Sequence, residues 1–227
     1  MLSLAMQLQF KYAVKTISIT HNSSRSSSEM ANEALWQQLL ELDGPQTARR
    51  ANCQYTDSPK SYLITLLNSE YTVSLSDKQV LSTKDCSPAG FIEELCILAH
   101  LINSKDLPLA SKLTPPQALP GGEFFFRGPH KLDTDKLEKT FGQNPERLYD
   151  VMDRFAAKRY KFGDAAIELR ILPRIPLTIV IWRGDDEFPA RASVLFDQTA
   201  AAQLLLDALW AAANLTIKKV IEAAQNP

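Results

Sequence analysis

The chain carries no excess charge of either sign. Lys and Arg number 25 against 26 Asp and Glu, for a formal net charge of −1. Such a balance leaves no electrostatic footprint for nucleic acid or an anionic membrane, and it argues against a highly charged disordered chain. No apolar run approaches the roughly 18 residues of a membrane span. The three cysteines, Cys53, Cys86 and Cys96, are scattered and show no C-x-x-C spacing. That excludes a disulfide framework and a thiolate zinc or iron–sulfur site, and favours free, buried thiols in a reducing cytoplasm. Histidine is scarce: His21, His100 and His130. Gly-x-Gly-x-x-Gly, Gly-Lys-Ser/Thr, Gly-x-Ser-x-Gly and the calcium-loop pattern are all missing, so nucleotide cradles and a serine nucleophile elbow have no support. No residue pattern names a cofactor.

What is present is an ordinary globular composition, 45% apolar over 227 residues, enough for one large domain or one domain with a tail. The first 28 residues stand apart: basic, Ser-rich at NSSRSSS, and without an acid until Glu29. Residues 1–29 are expected to be an N-terminal extension, disordered or added by a start placed ahead of Met30, with a single domain over 30–227. An organelle transit peptide fits the same composition.

Helical spacing appears at Leu35, Leu39 and Leu42, ending at Asp43–Gly44–Pro45. A second helix is expected after Ser87–Pro88, with Phe91, Leu95, Leu98 and Ile102 as its stripe. Asp133 and Gly142 bracket a short third, and Asn144–Pro145 opens a fourth bearing Leu148, Val151, Met152 and Phe155. The longest carries Leu206, Trp210, Ala213, Ile217, Val220 and Ile221, a face broad enough to lie on a sheet. Strand signals fall in two groups. One is a meander at Tyr62–Leu67, Tyr71–Leu75 and Val80–Leu81; the other is Ile167–Ile171, Leu177–Trp182 and Ser193–Phe196. Ile167, Leu169 and Ile171 alternate with polar residues, whereas Leu177–Trp182 is apolar on both faces and should be central. The prediction is an α+β fold: an antiparallel or mixed sheet of about five to six strands packed by about five helices.

Two segments stand out as candidate sites. Gly184–Asp185–Asp186–Glu187–Phe188–Pro189 follows the apolar run that ends at Trp182. Its carboxylates suit a hard cation or acid–base work, and the plainer reading is a solvated hairpin loop. Leu119 to His130 offers Gly121 and Gly122 for close backbone approach, Phe124–Phe126 for an apolar slot, and Arg127 and His130 for an anion. Its plainer reading is a Pro–Gly turn feeding a buried strand. Arg170, Arg174, Arg183 and Arg191 cluster in sequence around the acidic loop, where surface pairing and substrate binding are both open.

LPGGEFFFRGPH, TFG, FGDAAIELRILPRIPL, IVIWRGDDEFPARASVLFD and DALWAAANL, in that order, resemble a prokaryotic family catalogued as domain of unknown function 3786. The most specific pieces are W-x-G-D-x-E-F-P, on Trp182, Gly184, Asp185, Glu187, Phe188 and Pro189, and L-F-D, ending at Asp197. The resemblance implies anaerobic bacteria and archaea as hosts, with some members fused to cysteine-rich iron–sulfur modules that this chain lacks. It implies no activity, puts residues 1–29 outside the domain, weakens the transit-peptide reading, and leaves Asp186 at a variable position.

Three functions are consistent with these features. The first is a small-molecule or cofactor-binding domain of anaerobic metabolism, its pocket shared by Trp182, Gly184, Asp185 and Glu187 with Gly121, Gly122, Arg127 and His130. The second is an enzyme using Asp185 and Glu187, with His130, as acid–base groups. The third is a structural or protein-interaction module with an exposed apolar patch.

Overall fold

The computed structural model describes residues 25–226. Most of the expected N-terminal extension, positions 1–24, lies outside the described residues. Helix α1 (Arg25–Leu40) runs across position 30, where the domain was expected to begin. Leu35, Trp36 and Leu39 turn inward and are buried, while Leu40 faces solvent. The Trp36 indole N–H donates to the Glu94 carboxylate at 2.9 Å. Asp43–Gly44–Pro45 ends this helix and also starts another. The Asp43 carboxylate accepts the Gln46 N–H at 2.8 Å and caps α2 (Gly44–Ala51), with proline in its first turn.

The first strand group forms one antiparallel sheet of β1 (Gln54–Asp57), β2 (Lys60–Leu66), β3 (Ser69–Ser74) and β4 (Gln79–Ser82), in that order. Tyr62, Ile64 and Leu66 on β2 and Tyr71 and Val73 on β3 point into the core. A two-residue turn at Leu67–Asn68 joins these strands with φ positive at both positions, the twist a tight hairpin requires. The central helix α3 (Phe91–Asn103) begins at Gly90 rather than at Ser87. Pro88 is held by a bridge to Leu81, and the Glu93 carboxylate accepts the Gly90 N–H at 2.8 Å. From Leu95 to Leu101 every residue is buried, as befits a helix packed on all sides.

The second strand group forms a separate antiparallel sheet, ordered β5 (Leu113–Thr114), β9 (Arg191–Asp197), β8 (Ile175–Trp182), β7 (Ala165–Leu172) and β6 (Lys158–Arg159). The fold is therefore α+β and antiparallel, with the strands divided between two sheets instead of sharing one. β8 is central, and only Trp182 at its end escapes full burial. Its odd-numbered residues, with Ile167, Leu169 and Phe196 from its neighbours, build the core. Its even-numbered residues, Pro176, Thr178, Val180 and Trp182, form an outer face. The sheets meet where the Leu67 N–H donates to the Ile171 carbonyl at 2.9 Å.

The remaining helices are α4 (Gly122–Phe125), α5 (Thr134–Phe141), α6 (Ala200–Gln203) and α7 (Leu206–Gln225). Residues 119–130 make helical turns where the plainer reading had a strand, and the helix expected after Pro145 is a pair of 3₁₀ turns. The first stretch is broken by Gly121, Gly122, Gly128 and Pro129; the second holds one proline, Pro145, at its start and ends on the left-handed Ala156. α7 lies mainly along α3 and α5 and only touches β7. Its buried face is Ala208, Leu209, Ala211–Ala213, Ile217 and Val220, whose small residues admit a close helix, and Trp210 and Ile221 sit at its rim. Among the described residues no helix is long and apolar enough to cross a membrane. All three cysteines are free. Burial pushes the Cys53 and Cys96 thiols up to about 12, while Cys86 is exposed on a turn.

Candidate functional site

The loop after β8 is built by its own backbone. The Asp185 carboxylate accepts the N–H groups of Glu187 (2.9 Å) and Phe188 (2.7 Å), and the Asp185 N–H donates to the Phe188 carbonyl. This arrangement is an Asx-type turn, which explains aspartate at that position. Asp185, Asp186, Glu187 and Phe188 all face solvent. Gly184 donates its N–H to the Gly142 carbonyl at 3.1 Å, and a Cβ there would meet the Ala190 nitrogen at 2.7 Å. Trp182 is half-buried, with Phe162 edge-on at 5.7 Å and the Arg191 guanidinium 5.4 Å from its ring centre.

The four arginines near this loop go elsewhere. Arg183 pairs with Glu146, Arg170 donates to the Pro173 carbonyl, and Arg191 lies over Trp182. Arg174 donates to the carbonyls of Arg49, Arg50 and Leu107 and to Asp106.

The Gly121–His130 segment also closes on itself. Gly121 adopts φ +75°, and Gly122 lies so tightly beneath the Pro116 carbonyl that a side chain has no room. The close backbone approach is thus to protein. Phe124 is 81% exposed, Phe125 half-buried and Phe126 buried, so the three rings do not line one slot. Arg127 is exposed, 3.5 Å from Glu123. The His130 ring stacks on Phe125 at 4.4 Å and meets the Trp210 edge at 5.7 Å. Beside it an open apolar groove of about 630 Å³ runs along α7 between Ile92, Trp210 and Ile221. None of the residues lining that groove belongs to the 182–189 loop.

A different place has the character of a binding site. A cavity of about 270 Å³ lies on the outer face of the second sheet, roofed by residues 109–113 and Tyr160. Its sheet-side wall is Glu168, Pro176, Thr178 and Asp197. Register explains the grouping: Thr178 stands opposite Glu168 on β7 and Leu195 on β9, and Pro176 is the next outward residue of β8. Thr178 is fully buried, and its hydroxyl has no hydrogen-bond partner in the protein. Glu168 opposite it is half-buried, and among the described residues its carboxylate has no hydrogen bond or ion pair. A buried polar group left unpaired is costly, and native proteins seldom keep one without a use.

Asp197 at the cavity edge is differently placed. Burial alone would raise its carboxyl, but the Thr199 hydroxyl (2.6 Å) and the N–H groups of Thr199 (2.9 Å) and Ala110 (3.1 Å) outweigh that and hold it below the usual aspartate value. It stays ionised and ties the roof of the cavity to the end of β9. Among the described residues no three His, Cys, Asp or Glu side chains converge as metal ligands.

Trp182 is the sequence-nominated residue on this outer face, two outward positions along β8 from Thr178. Trp182 itself lies outside the cavity wall; of the wall residues, Asp197 closes the L-F-D piece, while Glu168, Pro176 and Thr178 fall in no candidate segment. One signal was available: Thr178 is the single hydroxyl in an otherwise apolar central strand.

An α+β chain of two antiparallel sheets about a buried helix, with a polar cavity on one sheet's outer face, is the class of protein that these features define. The family model described as "Domain of unknown function (DUF3786)" matches residues 43–219, and the chain belongs to that family. No curated protein and no solved structure matches it. The matched segment contains both sheets, α3 and the whole cavity, whereas α1 precedes it.

Proposed function

We propose that this protein is a small-molecule-binding domain whose ligand sits in the outer-face cavity between residues 109–113, Tyr160 and β8. The buried, unpartnered Thr178 hydroxyl on its wall carries this reading. A ligand that engages Thr178 recovers the desolvation of that group as affinity, which is how a binding site gains specificity from a few placed polar atoms. Residues 182–189 and 121–130 serve this reading as supports: the first turns the chain between β8 and β9, the second packs against α7. The free cysteines support a reducing, cytoplasmic setting, and the sequence resemblance favours a prokaryotic anaerobe. Acid–base catalysis by Asp185 and Glu187 loses its motivation, because both face solvent and Asp185 is engaged by turn N–H groups.

Thr178→Val tests the proposal, because it keeps the shape and removes only the hydroxyl. The variant is expected to be as stable as the parent or about 1 kcal/mol more stable, since an unpaired polar group is gone. Fragments that shift the Thr178 methyl resonance of the parent should bind it at least tenfold more weakly. A fragment set that leaves every resonance of the cavity wall unmoved at millimolar concentration would sink the idea.

A further inference from the structure

We infer that the ligand of this cavity presents a cationic nitrogen, a primary amine or similar ammonium group, to Glu168. This rests on the cavity being the binding site, and it adds the chemical class. Three observations carry it. Glu168 lines the cavity half-buried, and among the described residues its carboxylate has neither an ion pair nor a hydrogen bond. A second carboxylate, Asp197, stands on the same wall, with its own donors already arranged around one oxygen. The unpartnered Thr178 hydroxyl lies opposite Glu168 across the β7–β8 ladder and accepts a further N–H.

Two cations lie near this wall: Lys112 among the lining residues, and Lys158, the cross-strand neighbour of Glu168 on β6; both are exposed and free to keep their ammonium groups in water, and Lys158 forms no ion pair with Glu168 among the described residues. An anionic ligand would face two carboxylates across a partly desolvated space, where like charges repel most strongly. An ammonium group there meets one free carboxylate and one free hydroxyl. Leu109, Leu113 and Pro176 supply apolar surface for the body of the ligand. At about 30 Å³ for each displaced water, the 270 Å³ cavity accepts a molecule the size of a small amino-acid side-chain analogue.

Three near-isosteric probes separate the possibilities: benzylamine, benzyl alcohol and benzoate, titrated at neutral pH into the full chain while the Thr178 methyl and Tyr160 ring resonances are followed. Benzylamine should bind at least tenfold more tightly than benzoate. Glu168→Gln, checked for unchanged thermal unfolding, should cost benzylamine about tenfold and narrow its advantage over benzyl alcohol. Glu187→Gln, on the exposed loop, should change nothing. Benzoate or benzyl alcohol moving the Thr178 methyl better than benzylamine overturns the amine and leaves the cavity standing as a site, as does benzylamine binding that Glu168→Gln leaves intact. Silence from all three probes, joined to silence from the wider fragment set, overturns both inferences.

Discussion

His100 shows how much a single side chain can commit. It lies fully buried in α3, with its Nε2 3.1 Å from the Ala51 carbonyl. A carbonyl only accepts, so Nε2 carries the proton and the ring is neutral; Nδ1 is left without a partner. Burial is the main reason its pKa falls from 6.5 to about 4; the Ala51 hydrogen bond opposes that and the nearby Arg174 charge adds to it. The folded state therefore binds this proton less readily than the unfolded chain. Its neutral form contributes full stability above about pH 6.5, and that contribution drains away as pH falls toward 4. The loss across this window amounts to about 3 kcal/mol. His100→Gln keeps a donor for Ala51 and cannot be protonated. Urea unfolding at pH 7 and pH 4.5 should show a smaller pH dependence for this variant than for the parent, and identical dependences would refute the assignment. The sequence shows His100 only as a histidine on an apolar helix, which suffices to expect a core residue but not its tautomer.

At the scale of elements, the sheets and helices are joined by a few side chains that reach far along the sequence. Arg174, on the β7–β8 hairpin, binds the last carbonyls of α2 and the loop after α3 at once, with its side chain only 17% exposed. Helix-terminal carbonyls lack intrahelical donors, and a guanidinium is the one side chain whose planar fork serves several together. Arg174→Lys should lower stability by about 2 kcal/mol and raise hydrogen exchange in α2 before the rest of the chain. Uniform protection in the variant would count against it.

The elements themselves were legible wherever apolar spacing was strong. The β8 strand, the β2–β3 hairpin, α3 and α7 all follow from it. β1 was not, because Gln54–Asp57 is polar and mostly exposed. Nor was α2, since Asp43–Gly44–Pro45 reads equally as a stop and as a start. The cavity was illegible for a different reason. Its wall draws on residues 109–113, Tyr160, Glu168, Pro176, Thr178 and Asp197, which are far apart in the sequence and brought together by strand register and by the loops that form the roof. Motif reasoning favours contiguous residues, and so it settled on the acidic loop and the glycine-rich segment.

Taken whole, the molecule has one core. The buried residues of α1, both sheets, α3 and α7 form a single apolar cluster. It extends beyond residues 43–219, the span that the family model matches, because Leu35, Trp36 and Leu39 enter it from α1. Leu39→Ala should cost roughly 2–5 kcal/mol, and unfolding followed by circular dichroism and by tryptophan fluorescence should stay coincident. A chain trimmed to 43–219 should lose most of its cooperativity; an undiminished denaturation midpoint would show that α1 is dispensable. The second sheet ends on strands of two residues each, Leu113–Thr114 and Lys158–Arg159. Those stubs present too few free N–H and C=O groups to template another chain, which keeps the fully apolar β8 two strands away from any neighbour in a crowded cell. Since the chain continues from these same stubs into the roof over Thr178, a mutation that frays either edge would both open the cavity and expose a surface prone to polymerise.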